Sequence, residues 1–336
     1  MTENEPPSGR PADKNAELVE LGDIDELLRH VDRLVADRDW AGLVDLRDRS
    51  RAALERGRQL WPVAAQCEYR TALQAPAELA ATMVVEGAGQ FTLGPLAEVV
   101  AQGSGWAALA PHVAPGPLRS VLAHERILRG EDLTTVADIA LEVPLRIQSW
   151  EPDYALAEYR EFEADFPHPD LPRGDRVELP PPAPGVDDPD VVNAFRSVVQ
   201  PWTAQSNGRA EVVAIEGTAE EAVSALGPRL ARWVPLSPAD SFALLAWAGA
   251  SGGAHGRRRG AAAGRIEAWW TAAVLTGLDD TWPVEPEELG QAAAELKWFA
   301  WSRDEPDTGW NLRLAIEDPV DGLAWAVAAS DASMTR

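Results

Sequence analysis

Between Asp23 and Asp39 the apolar residues Ile24, Leu27, Leu28, Val31, Leu34 and Val35 recur three and four positions apart, the spacing that puts them on one helix face. Asp23 stands just before them and acids follow in the first turn. A carboxylate there satisfies orphan backbone N–H groups and faces the positive end of the helix dipole. A second helix, WAGLVDLRDRSRAALERG, carries Leu43, Leu46 and Leu54 and meets a stop at Gly57. The short connection makes the two an expected antiparallel hairpin. Further helical patterns fall at about 60–73, 77–85, 95–101, 117–129 and 133–142, separated by Gly/Pro turns. This reads as a repeat-like helical stack, without the fixed period that would name a repeat family.

Residues 1–20 lack that periodicity and hold Pro6, Pro7 and Pro11, so they read as a disordered tail, with order beginning near Asp23. The stretch Phe166–Pro189 holds eight of the chain's 27 prolines, which excludes helix and central strand and predicts an extended linker or surface-hugging loop. Beyond it the pattern is mixed. DPDVVNAFRSVVQ reads as helix and EVVAIEG as strand, after which Thr218 and Glu221 form a capping box for AEEAVSALG. ARWVPL is a second strand, and Ser237 with Pro238 opens the helix ADSFALLAWAGA. Near the end KWFAWS and WNLRLAIE flank RDEPDTG, and Trp310, Leu312, Leu314 and Ile316 alternate with Asn311, Arg313, Ala315 and Glu317. That alternation predicts a half-buried antiparallel hairpin. The expected fold class is α+β overall. An all-helical domain spans 21–165, a Pro-rich linker 166–189, and a smaller α+β domain 190–331.

Composition narrows the function classes. The 336 residues are 46% hydrophobic, enough for two cores, and 54 acids against 30 Lys and Arg leave a net charge of −24. A field of that sign repels nucleic acid and anionic membrane surfaces, so any anion must be bound locally. Cys67 alone excludes an intramolecular disulfide and any CxxC motif, and no apolar run reaches the roughly 20 residues of a membrane span. The expected location is the cytoplasm.

The stretch SGGAHGRRRGAAAGR, residues 251–265, concentrates positive charge without an acid. Gly252, Gly256, Gly260 and Gly264 are spaced by four, either a smooth helix stripe for close backbone approach or a loop that frees N–H groups for an anion. Arg257, Arg258, Arg259 and Arg265 carry guanidinium forks suited to phosphate or carboxylate, with His255 as a titrating donor. No lysine completes a phosphate loop, and the stretch follows a helix pattern. The competing reading pairs these arginines with internal acids such as Glu285, Glu287, Glu288, Asp304, Glu305 or Asp307. Because Gly252, Gly253 and Gly256 weaken helix entry, a loop is expected.

The segments RDWAGLVDLRDRSRAALERGRQLWPVAAQCEYRTALQAP, SGGAHGRRRGAAAGRIEAWW and WNLRLAIEDPVDGLAWAVAASD resemble a family of hypothetical actinobacterial proteins of unassigned function. The resemblance covers most of the chain except the tail and the Pro-rich segment. It implies an actinobacterial cytoplasmic protein and brings no activity, cofactor or catalytic residue.

Other candidates are weaker. The five histidines are scattered without HExxH or a short-range ligand cluster, so no metal is expected. His124 and Glu125, adjacent on a helix, read as a solvated pair, and Cys67 as a small core residue. No GxSxG, SxxK or kinase set is present. Of the 14 tryptophans, Trp269 and Trp270 are adjacent and must find different contacts. The function expected is a non-catalytic binding or scaffold protein engaging a protein partner, with no cofactor. The alternative is an anion-binding domain or enzyme in which Arg257, Arg258 and Arg259 clamp a phosphate or carboxylate.

Overall fold

The computed structural model describes residues 13–137, 139, 142–303 and 308–332. The chain forms two compact units, Met1–Ala114 with Tyr159–Glu163, and Pro115–Glu158 with Ala164–Arg336.

The first unit is built from α1 (Lys14–Leu21), α2 (Ile24–Ala36), α3 (Trp40–Glu55), α4 (Trp61–Gln74), α5 (Ala77–Ala80), α6 (Leu96–Gly103) and α7 (Trp106–Leu109). The side chains of Asp13, Asp23 and Asp39 cap the first three helices by accepting the N–H groups of Ala16, Glu26 and Gly42. Leu27, Val31, Leu43, Leu46, Val63 and Cys67 are fully buried among them. Helical order begins at Lys14, earlier than the periodicity indicates. Two apolar residues hold α1 down, Leu18 and Val19, together with Asn15, whose amide donates to the Gly42 carbonyl and Asp45 at 2.8 Å and bonds His30. Such anchoring is tertiary and leaves no periodic trace. Residues 1–12 of the expected tail lie outside the described residues.

Tyr159–Glu163 completes this unit although it is distant in sequence. The Tyr159 hydroxyl donates to the buried Glu98 carboxylate at 2.6 Å, and Gln102 bonds both backbone groups of Tyr159. Arg70, 2% exposed, pairs with Asp32 at 2.7 Å and Glu161 at 2.5 Å.

The second unit opens with α8 (Pro117–Ile127), so every helix from α1 to α8 precedes the sheet, as the all-helical N-terminal region requires. The expected helix at 133–142 does not form among its described residues. The Leu133 N–H is spent on the Leu145 carbonyl and Asp132 binds both the N–H and hydroxyl of Thr134, which turns the chain; Asp138, Ala140 and Leu141 lie outside the described residues.

A six-stranded antiparallel sheet follows: β1 (Asp175–Glu178), β2 (Arg209–Glu216), β3 (Leu230–Leu236), β4 (Lys297–Ser302), β5 (Trp310–Asp318) and β6 (Leu323–Asp331), in the order β1-β3-β4-β5-β6-β2. The hairpin expected from WNLRLAIE is β4–β5, registered from Lys297↔Glu317 to Ala300↔Leu314. The Pro-rich segment is not only connection. It supplies β1 at the sheet edge from its proline-free stretch Asp175–Glu178, and Gly174 lies where a Cβ would meet the Trp233 backbone at 2.8 Å. On one face Val234, Trp298, Leu312, Leu314, Ile316 and Val327 meet α9 (Pro189–Val198), α12 (Pro238–Ala250) and α13 (Ala261–Leu275). On the other, Trp233, Trp301, Ala315 and Ala326 form a second core with α11 (Ala219–Ala225). The remaining helices are α10 (Gln200–Ala204) and α14 (Pro286–Glu295). No helix among the described residues is long and apolar enough to cross a membrane.

Candidate functional site

Residues 251–260 form the loop between α12 and α13, and Arg265 lies one turn into α13. Backbone N–H groups hold the loop: that of Ala254 donates to buried Asp331 at 2.6 Å, that of Arg257 to Gln205 at 3.0 Å and that of Arg259 to the Ala250 carbonyl at 2.8 Å. A Cβ on Gly252 would lie 2.2 Å from the Gly256 carbonyl, so both glycines serve a tight backbone crossing. His255 and the Arg257 side chain are exposed. The Arg258 guanidinium stacks over the Phe166 ring, 4.8 Å from its centroid.

Arg259 and Arg265 turn inward. Arg259 donates to the carbonyls of Gly249 and Val198 at the C-terminal ends of α12 and α9, where the dipoles are negative, and pairs with Glu267 at 2.8 Å. Arg265 is wholly buried and meets Glu151 through two bonds of 2.7 Å. Their acidic partners are thus Glu267 and Glu151, not Glu285, Glu287 or Glu288. Asp304, Glu305 and Asp307 lie outside the described residues.

Nor are His124 and Glu125 a solvated pair, since both are fully buried. α8 is covered on more than one side, so neighbours pointing apart both meet protein. Glu125 accepts the N–H of Ala262 in the first turn of α13 at 2.8 Å and pairs with Arg129. His124 Nδ1 lies 3.5 Å from Arg265 Nη1, and burial, then the Arg265 charge, push its imidazole down to about 3. The ring is therefore neutral at physiological pH. Burial also raises the Cys67 thiol well above its ordinary value, which leaves it protonated and inert. Among the described residues no group of three or more His, Cys, Asp or Glu could hold a metal ion.

A concave apolar surface of the first unit lies on α2 and α4. Trp61, Ala65 and Tyr69 recur every four residues along α4, so their side chains share one face, and Leu28 with Asp32 repeats that spacing on α2. Phe91, Leu93 and Phe162 close the surface into a groove of about 340 Å³. The rings of Trp61 and Phe91 are 4.3 Å apart, yet Trp61 stays 40% exposed, Phe91 54%, Leu93 42% and Phe162 69%. Tyr69 is fixed beneath by donating its hydroxyl to the Arg160 carbonyl, and burial pushes its phenol up to about 12. Asp32 and Glu161, held by Arg70, supply the carboxylates at this end of the unit, with half-exposed side chains. Apart from Leu28, part of the apolar stripe of α2, these residues did not stand out in the sequence. Phe91 and Leu93 read as part of a breaker, EGAGQFTLG, and Phe162 as part of a charged run. Only the excess of aromatic residues near turns could have drawn attention to them.

Searches of curated proteins and of solved structures found no match. A family model described as a family of unknown function, DUF6183, matches residues 25–333. The match takes in both units, the groove-bearing helices and the 251–265 loop alike, and on that coverage the chain belongs to the DUF6183 family.

Proposed function

We propose that this is a non-catalytic binding protein of an actinobacterial cytoplasm, whose helical unit docks a segment of a partner protein bearing bulky apolar anchors flanked by basic residues. The observation that carries the reading is the groove over α2 and α4, where four large apolar side chains remain substantially exposed around one concavity. Leaving such area in water is costly at about 25 cal/mol per Å², and clustered exposed aromatic residues mark recognition surfaces. The partner's charge follows from the net −24, to which the Asp32–Arg70–Glu161 trio contributes one unit, and which attracts a basic segment and repels an acidic one. The lone, buried Cys67 supports a reducing compartment. Anion binding or catalysis at 251–265 has less support, because Arg259 and Arg265 are engaged with Glu267 and Glu151.

Fluorescence anisotropy with labelled peptides of defined sequence tests the reading: Leu, Phe or Trp anchors flanked by Lys and Arg, against the same anchors flanked by Asp and Glu. The basic set is expected to bind saturably and more weakly as salt rises. Trp61→Ala, Phe91→Ala and Phe162→Ala each should weaken binding by about tenfold or more with unchanged circular dichroism. Absence of binding by either set, preference for acidic flanks, or unaltered affinity in all three variants would overturn it.

A further inference from the structure

The six-stranded sheet ends in two edge strands of different character, β1 and β2. β1 is short, Asp175–Glu178, and its Asp175, Arg176 and Glu178 are charged and exposed. Short, charged edges resist pairing with another chain. β2 runs for eight residues, and its outer edge is covered along one half only. There the Val186 N–H donates to the Ala214 carbonyl at 2.9 Å and the Glu216 N–H to the Pro184 carbonyl at 3.4 Å, before the chain enters α9 at Pro189.

Those two bonds fix the direction of the whole edge. In a regular antiparallel strand the N–H and C=O of one residue point to the same side, and the side alternates along the chain. β2 pairs with β6 without a bulge from Arg209↔Ser330 to Glu216↔Leu323, so Ala210 and Val212 point outward as Ala214 and Glu216 do. Among the described residues the outward backbone groups of Ala210 and Val212 have no hydrogen-bond partner. Arg209 and Glu211 occupy the alternate positions, on the sheet face shared with Val213 and Ile215. Both are exposed, and neither makes an ion pair among the described residues.

This open half is self-complementary in one register. Pairing two copies antiparallel about a two-fold axis at Ala210 exchanges the N–H and C=O of the two Ala210 residues, and each Val212 N–H meets a Gly208 carbonyl beside them. The Gly208 N–H is already spent on the Trp202 carbonyl at 2.9 Å. The same register sets Arg209 of each copy opposite Glu211 of the other, in the non-hydrogen-bonded pairs where side chains lie closest. Moving the axis to Glu211 brings the two Glu211 carboxylates face to face. Moving it to Val212 requires the edge at Ala214, which Val186 already occupies, and sets Arg209 against Ile215. Opposite charges directly across an antiparallel pair stabilise it and like charges oppose it, so the charges select the first register.

We infer that β2 is a self-association edge, to which a second copy of this chain adds its own β2 so that the two sheets become continuous. The inference rests on the second unit alone and is independent of the peptide groove.

Sedimentation velocity of the full chain between about 1 μM and about 1 mM tests it, at an ionic strength of about 0.15 M so that the net −24 is screened beyond about 8 Å. The wild type should pass from monomer to dimer as concentration rises. Ala210→Pro removes the N–H at the axis, and proline is tolerated on an edge strand whose N–H faces solvent. That variant should dimerise at least about tenfold more weakly with unchanged circular dichroism. Glu211→Arg and Arg209→Glu, each at an exposed position, should separately weaken self-association by about tenfold or more. Mixing these two variants should restore a heterodimer about as tight as the wild-type dimer, because every cross-strand pair is then opposite in sign. A chain that stays monomeric throughout, leaving this edge to a strand from another protein, would overturn the inference. So would a dimer left unchanged by Ala210→Pro and both charge reversals, or a mixture of the two reversed variants that fails to associate.

Discussion

At Glu151 two carboxylate oxygens accept five hydrogen bonds without contact with water. Oε1 takes Arg265 Nη2 at 2.7 Å and the Gln148 N–H at 2.9 Å, and Oε2 takes Arg265 Nε at 2.7 Å, Tyr154 O–H at 2.6 Å and Trp269 N–H at 3.0 Å. Burial alone would push this carboxyl up; the bonds and charge of Arg265, with Tyr154 and Gln148, outweigh it and hold the group below its ordinary range. A buried pair of this kind adds little over a well-packed apolar pair, but breaking it strands a charge. Glu151→Gln should therefore cost about 3–5 kcal/mol at neutral pH, read by urea denaturation. The folded-state value is depressed, so the stabilisation is complete above the unfolded carboxylate pKa and disappears as pH falls through the folded one. The gap between wild type and variant should accordingly narrow only in acid. A gap below about 1 kcal/mol, or one that does not change on acidification, would show that the pair contributes no more than an exposed one. Arg265 was visible in the sequence as a candidate anion ligand, but Glu151, 114 positions away, was not.

Among the helices, α12 and α13 show how one spacing serves two ends. Gly252 and Gly256 meet in the loop, whereas Gly264 lies within α13 against α12, where a Cβ would stand 2.0 Å from the Ala246 carbonyl oxygen. Helix propensity alone favours Gly264→Ala by about 1 kcal/mol. The obstacle is backbone and cannot rotate away, so overpacking should dominate and leave a net loss of about 1–2 kcal/mol in the denaturation midpoint analysis. A neutral or stabilising variant would mean that the two helices can separate without cost. The capping box at Thr218–Glu221 and the Ser237 cap were legible because they are local chemistry, and the structure adds Asp240 as the second half of a box at Ser237. β6 was not. LAWAVAASD is buried on both faces between β5 and β2, which removes the alternation that revealed β5.

For the molecule as a whole, the helical unit is discontinuous. Tyr159 fits against Gly94, where a Cβ would lie 2.0 Å from its hydroxyl, and bonds Glu98 and Gln102, while Glu161 and Asp32 share Arg70. A fragment ending at Ala114 leaves Glu98 buried without that donor and Arg70 short of one carboxylate. It should melt lower than expected for its helices, and a synthetic peptide of residues 158–164 added in trans should raise its melting temperature with concentration, the stabilisation reaching about 2.7 kcal/mol at free peptide a hundred times its dissociation constant. No effect of the peptide would show that the segment is dispensable to the unit.

The sequence by itself determined the elements whose signals are local: the caps at Asp23, Thr218 and Ser237, the amphipathic stripes of α2 and α3, the alternation of β5, and the loop imposed by Gly252, Gly253 and Gly256. These follow from backbone geometry and a fixed side-chain period, which act over a few residues. Tertiary structure alone decided which arginine meets which acid, that Tyr159–Glu163 joins helices closed some fifty positions earlier, that a Pro-rich stretch yields an edge strand, and that the outer edge of β2 is covered along one half only. Charges attract any opposite neighbour within reach, so in a chain with 54 acids only the folded path selects the partner.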